Sequence, residues 1–566
     1  MSDMDTQLVI LARGLQSAAD EMAANLIRSA FSAVVREARD CSTALLDAEG
    51  RVVAQADMIP MQTAGLSESF RCAAEQLDLS GVTEDDFILL NDPYSGGQHL
   101  NDLIVFTPIL HEGALIGWAG STAHHLDIGG GSVGVNTTAT ELLQEGIVIP
   151  PLRLSKQRDW FGGMVERFFF ANIRTPEIGR GDLDAQFAAN LTGSRRVLEM
   201  VARHGADTVR AAMTEVMDYS ERRMRAAIAA LPDGSWEGEA FMDSDGVTPD
   251  VPVPVRVRVT VRGDEAELDF TGTAAQVRSM FNAPFACSMA GALTALRSLL
   301  GDTGMPANDG CNRPVTLIFP EGSLLNPRPG APVRARGTAS GRVLDAVHQA
   351  LAPALPDRAP AQGMNATTGV YLARARPEGG YDIHLDVLGG GWGAAKGYEG
   401  IHATDYVLSS CRLTPSESIE MLNAHVRIEA TALVEDGWGA GEFNGGMGVL
   451  RRYRVLADDV VLNLYSDHFT LPPRGIAGGS DGGCASLTLL RDGETRALGA
   501  TSSVTLQRGD VVEIRLAGGG GWGDPRRRPR EAVARDLADG VISESFAARE
   551  YGYLPTAADH KEKEPT

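Results

Sequence analysis

A chain of 566 residues with 43% hydrophobic and 22% charged residues has the composition of an ordinary globular protein, long enough for several domains. Its net charge of −23 repels phosphate backbones and sets nucleic acid aside as a partner. No run of about 18 apolar residues is present to cross a membrane. The six cysteines (Cys41, Cys72, Cys287, Cys311, Cys411 and Cys484) form no CxxC pair, which argues against a thiolate zinc site and a disulfide framework. Reduced thiols in a cytoplasm are expected, and the opening MSDMDTQLVI, without a basic and then apolar leader, points the same way.

In chain order, apolar residues at helical spacing predict one long helix or two over residues 7–37. STALLD-AEG-RVVAQ then reads as a hairpin turning at Gly50, and FILLNDPYSGGQHLND as a strand that breaks into a loop at Asp92-Pro93. LIVFTPIL-HEG-ALIGWAGST, from Leu103 to Thr122, predicts a second hairpin with Gly113 in its turn. Residues 182–230 are helical again, 236–273 alternate as antiparallel strands, and helices follow near 284–300 and 340–354. Residues 380–525 read mostly as strands between Gly-rich turns, and a short helix with a frayed polar end closes the chain. The fold class expected is α+β, multi-layered, with antiparallel sheets, an N-terminal helical and hairpin region, and a β-rich C-terminal part. The divisions drawn are 1–235, 236–380, 381–525 and 526–566.

Chemistry concentrates in the first division. His99, His124 and His125 fall within 27 residues, among Asp92, Asp102 and Asp127. If the second hairpin pairs about its HEG turn, Asp102 lies opposite Thr122, one register step from His124, and His99 is three residues upstream. Two imidazoles and a carboxylate then meet at the open end of the hairpin. Such a nitrogen and oxygen set suits zinc, manganese or iron, and Asp40, just ahead of the first hairpin, could add a fourth ligand. The bland alternative is that these residues cap or hydrogen-bond a strand end. Adjacent strand residues point to opposite faces, so one of His124 and His125 at most is a ligand, and spacing does not choose between them. GGGSVG at 129–134 matches GxGxxG but sits in no βαβ unit, and neither GxxxxGK[ST] nor GxSxG occurs. GGGWG (389–393) and GGGGWGDP (518–525) read as turns holding a Trp against a strand, with lining of a substrate as the alternative.

The segments NDPYSGGQHLND and STAHHLDIGG resemble the hydantoinase B/oxoprolinase family. RDCSTALLD, LLQEGIVIPPLRL, NIRTPEIGRGDLDAQFAAN, DFTGTAAQV and NDGCNRPVTLIFPEGSLLNP extend the likeness over nearly the whole chain. The resemblance implies one divalent metal, zinc foremost and manganese or iron next, on His99, Asp102 and His124 with Asp40 as the further ligand. It thereby favours His124 over His125. It also implies a hydantoinase A-like partner that binds ATP and Mg, in an α2β2 assembly. One departure is Gln62, where many relatives carry His.

The function expected from this is hydrolysis of a cyclic amide (a hydantoin, oxoproline or a lactam) that the partner has activated by phosphorylation. A metal-activated water would attack the activated carbon, with release of phosphate and ring opening. Asp127, His125 and Asp92 would orient a ligand or move a proton, although a loop hydrogen bond accounts for each equally well. A component of a ketone carboxylase of the acetone or acetophenone type is the first alternative, and a non-catalytic scaffold chain the second. The chain's length without an added domain favours the hydrolase.

Overall fold

A computed structural model describes residues 6–302 and 304–554. Helix α1 (Thr6–Ser29) buries Leu11, Leu15, Ala18, Ala19, Met22, Ala23 and Leu26, three and four apart. The helical stretch expected over 7–37 breaks after it, because Asp182 Oδ1 accepts the backbone N–H groups of Phe31 (2.7 Å) and Ser32 (3.0 Å). A short second helix, α2 (Ala33–Arg36), is then capped by Ser32.

Next come β1 (Cys41–Asp47), β2 (Val52–Gln55), α3 (Pro60–Gln76), β3 (Asp86–Leu90), β4 (Asp102–His111), β5 (Ala114–His124) and β6 (Leu152–Ser155). The six strands form one antiparallel sheet in the order β2-β1-β5-β4-β3-β6. Every residue of β1 is buried. The cause is cover on both faces. Leu66 and Phe70 of α3 pack on Leu46, Phe106 and Trp118. After α4 (Met164–Ala171), the long α5 (Pro176–His204) lies with α1 across the opposite face. A sheet covered twice has no solvent side, so its strands read as continuous apolar runs. Helix α3 has no counterpart in the elements expected from sequence. Its residues are small and polar as often as apolar, and Pro60 in its first turn is the one local signal.

Helix α6 (Ala206–Ala229) leads to β7 (Gly234–Met242), β8 (Val253–Arg262) and β9 (Glu265–Asp269), the antiparallel strands expected over 236–273. Beyond α7 (Phe285–Leu300), β10 (Val315–Ile318) joins this sheet parallel to β9. Helix α8 (Arg336–Leu351) covers one face, and strict alternation of buried and outward residues along β8 marks the other as open.

The C-terminal part is β-rich. It contains β11 (Thr368–Ala375), β12 (Tyr381–Leu388), α9 (Ser416–Leu422), β13 (Val426–Leu433), β14 (Val449–Val455), β15 (Val460–Tyr465), β16 (Ser486–Arg491), β17 (Glu494–Leu498), β18 (Thr501–Leu506) and β19 (Val511–Arg515). Sheets β12-β11-β15-β18 and β13-β14-β19-β16-β17 share a core that includes Val370, Leu372, Tyr453, Leu489 and Ile514. The Gly-rich runs were expected as turns. They are instead segments laid side by side, in which Gly391 N–H donates to Ala517 O (2.9 Å), Gly446 N–H to Trp392 O (2.8 Å) and Gly519 N–H to Gly446 O (2.9 Å). A Cβ on Gly391 would overlap the Gly446 carbonyl, and one on Gly519 the Trp392 carbonyl, so glycine is required for the approach. Helices α10 (Arg530–Ala538) and α11 (Glu544–Tyr551) pack on Trp438 and Met447. The frayed end expected past residue 554 lies outside the described residues.

Candidate metal centre

Asp102 opens β4, His124 closes β5, and the two are directly opposed in the ladder. This corrects the expected register, since Ile104 and not Asp102 faces Thr122. Two features add up to the two-residue difference. His111 pairs with Ala114, so the turn is the two residues Glu112-Gly113 and moves the register by one. A β-bulge moves it by one more: Ile109 pairs with Gly117 and Leu110 with Leu115, which leaves Ile116 as an extra residue. β1 pairs with the other edge of β5, Cys41 opposite Ala123, which leaves Asp40 beside His124; its carbonyl accepts the His124 N–H at 3.0 Å. A turn in which Asp102 N–H donates to His99 O (3.0 Å) folds His99 back over the same strand ends.

The four side chains converge. His99 Nδ1 lies 3.1 Å from Asp102 Oδ2, and His124 Nδ1 lies 3.6 Å from Asp102 Oδ1 and 3.5 Å from Asp40 Oδ2. The two imidazole centroids are 4.8 Å apart. One ligand atom each from His99, Asp102 and His124 can be chosen within 4.8 Å of one another, and all three residues are buried. Two further residues hold the carboxylates. Arg336, at the start of α8, donates from Nη2 to Asp102 Oδ2 at 2.8 Å. Gln62 Nε2 donates to Asp40 Oδ1 at 2.8 Å and to Asp102 Oδ1 at 3.4 Å.

Burial, reinforced by the Arg336 cation, pushes His99 well below the usual imidazole range. Burial works against the Asp102 carboxylate, but His99, Arg336 and hydrogen bonds outweigh it and hold Asp102 well below the usual carboxylate range. Both effects cannot draw on a charged His99. We assign the neutral imidazole, since Arg336 alone supplies a full positive charge to Asp102. Burial and the neighbouring Asp102 raise Asp40, while His124 opposes the rise. A neutral imidazole at His99 beside an ionised Asp102 is the pair of protonation states that binds a cation. The residues fit one, because His124 Nε2 is buried without a hydrogen-bond partner and no thiolate is present to restrict the site to softer metals.

The other sequence candidates have different partners. His125 Nε2 lies 3.1 Å from Gln186 Oε1 on α5, across the sheet from Gln62. Asp127 accepts from Arg174 Nη1 (3.1 Å), Arg174 N–H (2.6 Å) and Gly129 N–H (3.2 Å). Asp92 caps the turn at Pro93, accepting from Tyr94 N–H at 3.0 Å and Ser95 Oγ at 3.0 Å. The cleft over the four converging residues is closed by distant segments: Ile59 and Met61 ahead of and in α3, Arg334 and Arg336 at α8, and Leu385 and Tyr465 from the β-rich part. Sequence reading missed Arg334 and Arg336, which lie more than 200 positions from Asp102 in RARGTASGR and carry no spacing signal. Gln62 stood out in the sequence only as a departure from relatives.

Fold and site together define a mixed α+β protein with a buried imidazole–carboxylate centre where three antiparallel strands end. The chain belongs to the Hydantoinase B/oxoprolinase family, whose profile matches residues 4–525. It is 32% identical to the candidate B-type chain of a D-/L-hydantoinase from Pseudomonas sp. (strain NS671), over 98% of this chain and 95% of that one. It is 31% identical to the beta chain of caprolactamase from Pseudomonas jessenii, over 98% and 97% of the two chains. The crystal structure of the ATP-dependent caprolactamase from Pseudomonas jessenii superimposes with a TM-score of 0.88 at 29% identity, covering 98% of this chain and 97% of that one. A nucleotide-free acetone carboxylase also gives 0.88, covering 97% and 80%, but at 19% identity it shows a shared fold alone.

Proposed function

We propose that this chain is the metal-carrying subunit of a two-component, ATP-dependent amidohydrolase that opens a phosphate-activated cyclic amide (a hydantoin, oxoproline or a lactam). The observation that carries this reading is the buried group of His99, Asp102 and His124, with Asp40 beside it. Relatives that are themselves the B-type and beta chains of their enzymes support a second chain of the A type, and the solved relative is an ATP-dependent caprolactamase. This chain has no GxxxxGK[ST] loop, so ATP and Mg are assigned to the partner, and the assembly proposed is α2β2.

His99, Asp102, His124 and Asp40 would hold one divalent cation, zinc foremost and manganese or iron next. When bound, it would supply Lewis acidity and lower the pKa of a bound water to about 7. Arg336 fixes Asp102 and keeps it ionised, and Gln62 orients Asp40. Apolar side chains of Ile59, Met61 and Leu385 exclude bulk water from the cleft and flank a ring. His125, through Gln186, supports the strand ends, because Gln186 Nε2 also donates to the carbonyls of Leu103 (2.9 Å) and Ser121 (3.3 Å). No helix among the described residues is long and apolar enough to cross a membrane.

The test is co-purification with an ATP-binding partner chain, then ATP turnover with hydantoins, 5-oxoproline, lactams, and ketones plus bicarbonate. A ring-opened acid formed without bicarbonate is the expected product. Bicarbonate-dependent carboxylation of a ketone would replace the hydrolase reading with a carboxylase one. His99→Ala and Asp102→Ala should lose the metal by mass spectrometry and at least about 100-fold of activity while still assembling. Full activity in both would leave the chain a scaffold.

A further inference from the structure

Among the described residues four arginines are buried: Arg334, Arg342, Arg451 and Arg528. Three have a carboxylate at ion-pair distance, with Arg342 3.2 Å from Asp345, Arg451 2.6 Å from Asp386 and Arg528 2.7 Å from Glu399. Arg334 has none. It is 3% exposed, its Nη2 donates to the phenol oxygen of Tyr371 at 2.6 Å, and its Nε has no partner. The nearby Glu145 is turned to the backbone, accepting the N–H groups of Val333 (3.1 Å) and Arg334 (3.0 Å). Glu145 thus acts on the Arg334 charge only from beyond ion-pair distance, and a buried guanidinium with no carboxylate on its own nitrogens is costly, a cost that an anion reaching them would offset.

The place of this cation gives it a use. Arg334 lines the same cleft as His99, His124 and Asp40. Two residues on, Arg336 spends one Nη on Asp102, and its buried Nε is also unpartnered. Arg336 begins α8, whose first turn has no side-chain cap, so the positive end of the helix adds to the field there. Two guanidinium groups and a helix start thus face the centre, and only the guanidinium of Arg336 is paired with a carboxylate there, Asp102.

We infer that Arg334, backed by Arg336 and the start of α8, anchors an anionic oxygen group of the ligand, either a phosphoryl group on an activated amide or a carboxylate carried by the ring. The inference rests on the proposed function only for what the ligand is. The planar fork of Arg334 has donors left over for two oxygens of such a group. Anchored there, the anion would place the reacting carbon beside His99 and His124.

The test uses the full chain with inorganic phosphate and acetate as probes, by calorimetric titration and thermal unfolding, before and after dialysis against EDTA. Phosphate should bind and raise the unfolding temperature, and Arg334→Met should weaken binding by at least about tenfold. In anion-free buffer Arg334→Met should unfold at a higher temperature than the wild type, having lost a buried charge that no carboxylate pairs with directly. Arg334→Lys, which keeps the charge, should retain part of the binding. Acetate bound more tightly than phosphate, with the same loss in Arg334→Met, would assign the carboxylate. Failure of both probes to bind, binding indifferent to Arg334→Met and Arg334→Lys, or binding that vanishes with EDTA treatment would overturn the inference. Phosphate held by Arg334 in a chain that opens no ring with its partner would leave the subsite standing and remove the hydrolase reading alone.

Discussion

Gln62 is the residue that joins the two carboxylates of the centre. One amide nitrogen serves Asp40 at 2.8 Å and Asp102 at 3.4 Å, and the amide oxygen is buried without a partner. An amide cannot change charge with pH, so Gln62 fixes Asp40 without competing for a cation. Gln62→Ala should therefore lower metal affinity by about 10–100-fold while leaving the fold intact, as loss of a partner that orients a ligand does elsewhere. Metal titration followed by circular dichroism checks this. Unchanged affinity would show that Asp40 is held in place by the His124 N–H and the strand pairing alone.

At the scale of elements, the bulge at Ile116 decides the site. Without the extra residue the hairpin would set Asp102 against another position of β5, and His124 would leave the centre. The glycine-rich segments decide the C-terminal part in a similar way, through backbone approach instead of side-chain packing. Gly113 and Gly519 provide a contrast. Gly113 has φ 79° and open space around it, so Gly113→Ala costs only left-handed strain, about 1 kcal/mol. In Gly519→Ala the new Cβ meets the Trp392 carbonyl, and more than about 3 kcal/mol is expected, with a large loss of folded yield. Urea midpoints of the two variants separate these effects, and equal shifts would mean that the segments can move apart.

Across the whole molecule, stability depends on polar groups sealed between layers. His384 lies inside the β-sandwich, facing Asp386, Arg451, His425 and Asn423, and burial lowers it from 6.5 to about 4. Its folded pKa is below its unfolded one, so the unfolded chain takes up the extra proton as pH falls. The contribution of His384 is complete above about pH 6.5 and is lost as the pH drops to about 4, worth at most roughly 3 kcal/mol. The urea midpoint of wild type should fall more between pH 7.5 and 4.5 than that of His384→Leu. Parallel curves would place the acid sensitivity elsewhere, with His468, also lowered by burial and by Arg342, as the next candidate.

What the sequence by itself determined is local. The helical period marked α1 and α5, alternation marked β7 to β9, and the turn at Gly113 marked the hairpin, because each depends on neighbours a few positions away. The spacing of His99, Asp102 and His124 likewise showed one end of one hairpin, and the motifs around them carried the family. Tertiary structure alone decided the rest. Helix α3 is stabilised by the apolar face of a sheet its own residues do not announce, and the register of β4 on β5 turns on one extra residue. Arg336 reaches Asp102, and Arg334 lacks a carboxylate, only because α8 is brought over the strand ends. Burial and charge balance are properties of the assembled layers, and no window of sequence contains them.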